Sequence, residues 1–200
     1  MYSRLLRKKF LQAVETFPAV ILTGARQTGK STLCQTLLKD THAYVSLEDP
    51  DARRMALQDP RTFLEIHPPP VIFDEIQYAP ELPSYLQGRI DARRRIYGQY
   101  VLTGSQNFLL MEKVSQSLAG RAALLTLYPC SVKEVDGENV ASRSSIQGVA
   151  DWILRGAYPE LRSRPELDRH LWCSSYIRLY LERDVRRLLN VGDLDTFERF

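Results

Sequence analysis

Eight consecutive residues, Gly24-Ala25-Arg26-Gln27-Thr28-Gly29-Lys30-Ser31, satisfy the pattern GxxxxGK[ST]. The chemistry this pattern implies is the cradling of a polyphosphate. Gly24 and Gly29 allow backbone angles and a close approach that a side chain would block. Lys30 would reach the β and γ phosphates, the Ser31 hydroxyl would ligate Mg²⁺, and N–H groups from Gly24 to Thr32 would supply the remaining contacts. A second chemical signature follows 44 residues after Lys30, where Val71-Ile72-Phe73 closes on Asp74-Glu75. At the carboxyl end of a parallel strand beside the loop, Asp74 would hold Mg²⁺ with Ser31, directly or through water, and Glu75 would polarise the attacking water. Two further positions complete the set. Ser105, just past Tyr100-Val101-Leu102-Thr103, is the first candidate to sense the γ-phosphate or hold the water, with Thr103 and Asn107 next. Arg121, in the turn Ala119-Gly120-Arg121, could bring positive charge to the reacting phosphate from within the chain or across an oligomer interface.

These side chains need particular elements to hold them. Ala19-Val20-Ile21-Leu22 reads as a strand buried on both faces, and Leu33, Leu37 and Leu38 give the stretch after the loop a helical face. Strand, loop, helix is the order that aims a helix N-terminus and its dipole at an anion. Ahead of it, Leu6, Phe10, Ala13, Val14 and Phe17 form one stripe of an amphipathic helix over 3–17, with Arg4, Arg7 and Lys8 off the stripe. His42–Leu47 is a second strand, and Glu48-Asp49-Pro50 opens a helix. Another covers 61–66 and stops at Pro68-Pro69-Pro70, before the strand 71–73. A helix over 81–97 ends in Arg93-Arg94-Arg95, which suits its dipole; contact with a phosphate backbone or a partner is the alternative use of that run. The pattern continues with a strand at 100–103, a helix at 108–118 and a fifth strand at 122–127. From Pro129 strand character disappears. A linker-like stretch at 136–147 leads to Trp152-Ile153-Leu154, a turn at 155–159 and a long helix over 166–189 with apolar residues on two sides.

Two hundred residues with 44% hydrophobic content suffice for one domain with a sizeable core and a smaller helical appendage, here divided as 1–128 and 129–200. The net charge of +3 does not by itself argue for nucleic acid, although 21 of the 27 basic residues are arginine, which suits bidentate recognition of carboxylate and phosphate. Cys34, Cys130 and Cys173 are odd in number and widely spaced, so the sequence supports neither a disulfide framework nor a zinc site. His42, His67 and His170 are scattered. The expected location is cytoplasmic, because no apolar run approaches the roughly 20 residues of a membrane span.

With these motifs in place, the sequence resembles a family of prokaryotic AAA-type ATPases in which a P-loop domain precedes a winged-helix-like segment and a nuclease-like domain of unknown function. The resemblance rests on GARQTGKS (24–31), VSLEDPDAR (45–53), VIFDEIQYAPEL (71–82), LTGSQNFLL (102–110), LAGR (118–121), RGAYPEL (155–161) and YLERDVRRLLNVGDL (180–194). It implies an α/β P-loop NTPase fold: a five-stranded parallel sheet, order 5-1-4-3-2, with helices on both faces and a small helical lid. It also implies ATP and Mg²⁺ as cofactors, Gly24 to Thr32 on the triphosphate, Asp74 and Glu75 serving metal and water, and Ser105 as sensor. Arg121 falls on a motif position. A homo-oligomer and a DNA partner, engaged through a C-terminal part beyond this chain, are further expectations. The expected activity is Mg²⁺-dependent ATP hydrolysis. The rivals are a nucleotide-gated interaction switch with little turnover, a small-molecule kinase, a purely structural domain and a GTPase. The GTPase lacks its base reader, since Asn190-Val191-Gly192-Asp193 has no lysine.

Overall fold

The computed structural model describes residues 2–105, 116–137 and 145–180. They belong to two compact units, residues 1–142 and 143–200. The first is built on five parallel strands, β1 (Ala19–Thr23), β2 (Ala43–Ser46), β3 (Val71–Asp74), β4 (Tyr100–Gly104) and β5 (Ala122–Thr126). Their order is β2-β3-β4-β1-β5, the expected topology. Around them lie α1 (Arg7–Thr16), α2 (Lys30–Leu38), α3 (Pro50–Gln58), α4 (Pro60–Ile66), α5 (Leu82–Ala92) and α6 (Val132–Asp136).

The period of two along the central strands explains why helices cover both faces. Ala19 and Ile21 of β1, Val71 and Phe73 of β3, and Tyr100 and Leu102 of β4 enter one core with Phe63, Leu64, Leu86 and Ile90 of α4 and α5. The intervening Val20, Leu22, Ile72 and Val101 enter the other, with Phe10 and Ala13 of α1 and Leu33, Cys34 and Leu38 of α2. A continuous apolar run buried on both sides is what a central parallel strand requires.

Two local expectations are corrected. The first helix begins at Arg7, so Arg4 precedes it and is buried rather than placed on a solvent face. The helix expected to reach Tyr97 stops at Ala92. The buried Gln99 amide donates to the carbonyls of Arg93 and Ile96, and Gly98 turns back with φ +64° against Val14, so the Arg93–Arg95 run lies in the turn after α5. Past Pro129, ahead of the stretch expected as a linker, lies α6, started by a capping box between Ser131 and Glu134; residues 138–144 of that stretch lie outside the described residues.

The second unit contains α7 (Ile146–Arg155), α8 (Pro159–Ser163) and α9 (Arg169–Tyr180). The helix expected over 166–189 starts at Arg169; its continuation with Glu182, Arg183 and Asp184 lies outside the described residues, as do Asn107 and the helix expected over most of 108–118. Trp172 and Tyr176 of α9 pack around Tyr158 at centroid distances of 5.0 to 5.2 Å, and the Arg162 guanidinium lies 3.8 Å from the Trp152 ring centroid. Among the described residues no helix is long and apolar enough to cross a membrane.

Candidate functional site

Residues 24–29 join the carboxyl end of β1 to the first turn of α2. Gly24 is obligatory there: a Cβ would lie 2.2 Å from the Leu127 carbonyl oxygen, backbone that cannot step aside. Gly29 adopts the left-handed conformation as N-cap of α2, whose first turn carries no acidic side chain. The amide-rich end of the helix is therefore presented to an anion. Within the loop the Thr28 hydroxyl donates to Ala25 O at 2.9 Å, and Gln27 is also left-handed, at φ 59°. Backbone held in this sparsely occupied region clusters at functional sites.

Lys30, the first residue of α2, is buried, and its ammonium donates to the carbonyls of Gly24 at 3.1 Å and Ala25 at 2.9 Å. Burial lowers its pKa, against the opposing pull of the nearby Glu75 and Asp74 carboxylates. Those two carboxylates thus lie close enough for their charge to act on the lysine that the sequence placed with them.

Asp74 ends β3, and the two neighbouring strands and α2 each supply it with a hydroxyl. Its Oδ1 accepts from Ser31 Oγ at 2.9 Å and from Thr103 Oγ1, and its Oδ2 accepts from Tyr44 OH at 2.6 Å. Strand order brings them together, since β3 lies between β2, which carries Tyr44, and β4, which carries Thr103. Glu75 follows in the left-handed conformation, φ 57°. Its N–H donates to Thr103 Oγ1 at 3.3 Å, and its Oε2 accepts from the Gln77 amide.

The structure therefore collects Gly24, Ala25, Thr28, Gly29, Lys30, Ser31, Asp74 and Glu75 at the carboxyl edge of the sheet, with Arg26 close enough for its charge to act on Lys30. Thr32 lies in the first turn of α2 and Ser105 directly follows β4. The contact with Asp74 comes from Thr103, the second choice for a sensor. Arg121 is not brought to the loop of its own chain. It precedes β5 at the amino-terminal edge, where its carbonyl accepts from Ala19 N at 3.3 Å. A five-residue strand, about 15 Å, separates it from the site. There it grips Asp91 through two bonds of 2.8 Å. Arg121 and the loop of its own chain thus stand at opposite edges of the sheet.

Tyr44 and Gln77 were not legible as site residues. The signal for Gln77 was its place two residues after Glu75. Tyr44 stands two residues before the end of β2, which becomes informative only once β2 is known to border β3. The arrangement as a whole can hold a polyphosphate on backbone amides and Lys30, offer paired hydroxyl and carboxylate oxygens to a hard cation, and set a carboxylate beside them to activate water.

A family model described as an AAA domain matches residues 16–136, and one described as a domain of unknown function matches residues 146–200. Two curated relatives, the uncharacterized proteins Rv2008c of Mycobacterium tuberculosis and Mb2031c of Mycobacterium bovis, are each 33% identical over 179 residues. These alignments take in 88% of the chain and 38% of either relative, so the chain spans well under half the length of the relatives it matches. Among solved structures, the Walker-type ATPase PABY2304 of Pyrococcus abyssi matches with a TM-score of 0.56 at 16% identity, over 100% of this chain and 76% of that one. The Thermotoga maritima RuvB Holliday junction branch migration motor matches with a TM-score of 0.50 at 18% identity, over 90% of this chain and 63% of that one. At such identities the likeness speaks for the fold.

Proposed function

Because the chain belongs to the AAA-domain family, we propose that it binds ATP together with Mg²⁺ and hydrolyses it to ADP and phosphate. The observation that carries this reading is the 2.9 Å contact between Ser31 and Asp74 at the mouth of the loop. The Ser31 hydroxyl and the Asp74 carboxylate set two hard oxygen donors side by side, the kind Mg²⁺ takes, so these two residues would hold the ion. Among the described residues no three His, Cys, Asp or Glu side chains cluster as a metal site. Phosphate and water oxygens would then fill the remaining positions, which is the usual arrangement for this ion. When bound, the ion would neutralise charge on the β and γ phosphates.

The protein's own groups do the rest. Amides of residues 24–32 and the Lys30 ammonium hold the triphosphate. Glu75 takes a proton from water as the water oxygen bonds to the γ phosphorus; the bond to the β-phosphate oxygen breaks and its electron pair leaves with ADP. Thr103 fixes both Asp74 and the Glu75 backbone, and Ser105, just past the end of that strand, would sense the γ-phosphate. Arg121 would serve the site of a second copy, and the helical region from residue 129 would act as lid and as the start of a C-terminal extension through which DNA or a protein partner is engaged.

Titration calorimetry with ATP, GTP and ADP, with and without Mg²⁺, tests the reading. ATP and ADP are expected to bind about 10-fold or more tightly than GTP, with turnover requiring Mg²⁺; failure to bind any nucleotide would overturn it. A finer prediction concerns the hydroxyl on Asp74 Oδ2. Burial and the Asp74 carboxylate push the Tyr44 phenol pKa up, so it stays a donor. A hydrogen bond to a charged group contributes about 1.5–3 kcal/mol, part of which water restores at this half-exposed position. Tyr44→Phe is therefore expected to raise the Mg²⁺ concentration for half-maximal turnover about 3- to 10-fold, with ATP affinity nearly unchanged, in a metal titration of the ATPase rate.

One observation favours a second reading, a nucleotide-gated switch with little turnover. One oxygen of the Glu75 carboxylate is held by the Gln77 amide. Single-turnover rates with and without DNA or protein partners separate the switch from a motor.

A further inference from the structure

Arg4 precedes α1 and is 7% exposed, an unusual place for a guanidinium. Its partners come from segments far away in sequence. Nη1 donates to Thr28 O at 2.7 Å, inside the loop, and Nη2 donates to Tyr128 O, just past β5. Nε lies 3.2 Å from Glu134 Oε1 in α6, an ion pair with both side chains 6% exposed. Glu134 is itself tied down, accepting from Leu5 N at 2.6 Å and Ser131 N at 2.8 Å. Burial pushes the Glu134 pKa up, but those two N–H groups and the Arg4 charge outweigh it and hold the carboxyl below its ordinary range.

A buried ion pair is weak ground for stability, because desolvation cancels much of its attraction. What this one does locally is more specific. The carbonyl of Thr28 and the N–H of Gly29 belong to one planar trans peptide, so they point in opposite directions. Drawing the carbonyl onto the buried Arg4 guanidinium turns the Gly29 N–H away from it, free to face a ligand. With the plane reversed, a carbonyl would face the phosphates. Gly29 is the residue most able to make that reversal, being left-handed at φ 92° with nothing nearer than 3.8 Å to an added Cβ, and that nearest atom is Arg4 Nη1. The fork of donors explains the choice of side chain. Arginine can take two carbonyls and a carboxylate at once, whereas lysine is a point charge without a planar fork.

We propose that Arg4 is a positioning residue of the nucleotide site: it fixes the Thr28–Gly29 peptide with its N–H facing the phosphates and, through Glu134 and the Tyr128 carbonyl, ties that peptide to the segment leaving β5. The proposal rests on the nucleotide-binding reading above and adds a determinant lying outside the loop.

The test compares wild type, Arg4→Met and Arg4→Lys in the full chain, using ADP with Mg²⁺ and inorganic pyrophosphate as probes. Affinity is read by calorimetry and the Gly29 amide by ¹H–¹⁵N correlation spectra. Arg4→Met, which keeps the buried stem, is expected to weaken both probes about 10- to 100-fold and to remove most of the Gly29 shift that they induce in wild type. Arg4→Lys is expected to recover part of both. If Arg4→Met does not fold, Arg4→Lys alone decides: wild-type affinity and a wild-type Gly29 shift would overturn the proposal. The proposal also fails if a folded Arg4→Met binds within 2-fold of wild type, or if it loses thermal stability while the Gly29 response is unchanged. Failure of wild type to bind either probe would overturn the nucleotide reading and this proposal together, whereas wild-type binding with indifferent variants overturns only the proposal.

Discussion

Lys30→Ala abolishes ATP binding, by the expectation that the loop geometry sets. The ammonium bridges the Gly24 and Ala25 carbonyls at 3.1 and 2.9 Å, within the loop. It is also the cation set against the charges of Asp74 and Glu75. Deleting it removes a charge-assisted contact to phosphate and leaves two carboxylates near a polyanion. A loss of at least about 100-fold in affinity, about 2.7 kcal/mol, is expected. Calorimetry with ATP checks it, and a melting curve of the variant without nucleotide separates lost binding from lost fold. A pH effect of definite sign accompanies it. The ammonium is the form that meets phosphate, and burial lowers its pKa. Raising the pH therefore neutralises it earlier than an exposed lysine, and wild-type affinity falls on the alkaline side.

Glu75→Gln separates binding from chemistry. The side chain keeps its size, the Gln77 amide keeps an oxygen to donate to, and the left-handed backbone with its bond to Thr103 is untouched. What disappears is the ability to accept a proton from water. General-base catalysis is worth about 10²- to 10⁴-fold, so turnover should drop by that factor while ATP binds as tightly as before or more so, one negative charge having left the neighbourhood of the phosphates. A single-turnover assay beside a binding isotherm reads both quantities. Equal rates in variant and wild type would remove Glu75 from the mechanism.

The parts of this site that are contiguous in sequence could be read from it. The loop carries its own glycines, lysine and serine, and the strand 71–74 carries the Asp74 carboxylate at its end, at a position set by β geometry. The strand order followed from the resemblance and holds in the structure. Beyond these parts, the missing information was long-range. Arg4 looked like one more polar residue off the stripe of a helix, because its partners lie 24, 124 and 130 positions away. Tyr44 was one aromatic residue in a strand until its neighbour in the sheet was known. Arg121 looked free in a turn, and only the fold shows Asp91 opposite it. The end of α5 was missed for a related reason: the periodicity runs on past Ala92, but a glutamine seven residues later holds the Arg93 and Ile96 carbonyls in the turn that follows the helix.

The Asp74 carboxylate is met by three hydroxyl groups, from Ser31, Tyr44 and Thr103. A hydroxyl is a donor or an acceptor according to how its proton is turned. A divalent ion entering between Ser31 and Asp74 therefore has no bonded ammonium or guanidinium to evict. Only the Ser31 proton would have to turn away, while Tyr44 and Thr103 go on donating to the carboxylate, so loading is expected to be fast, reversible and nearly free of reorganisation.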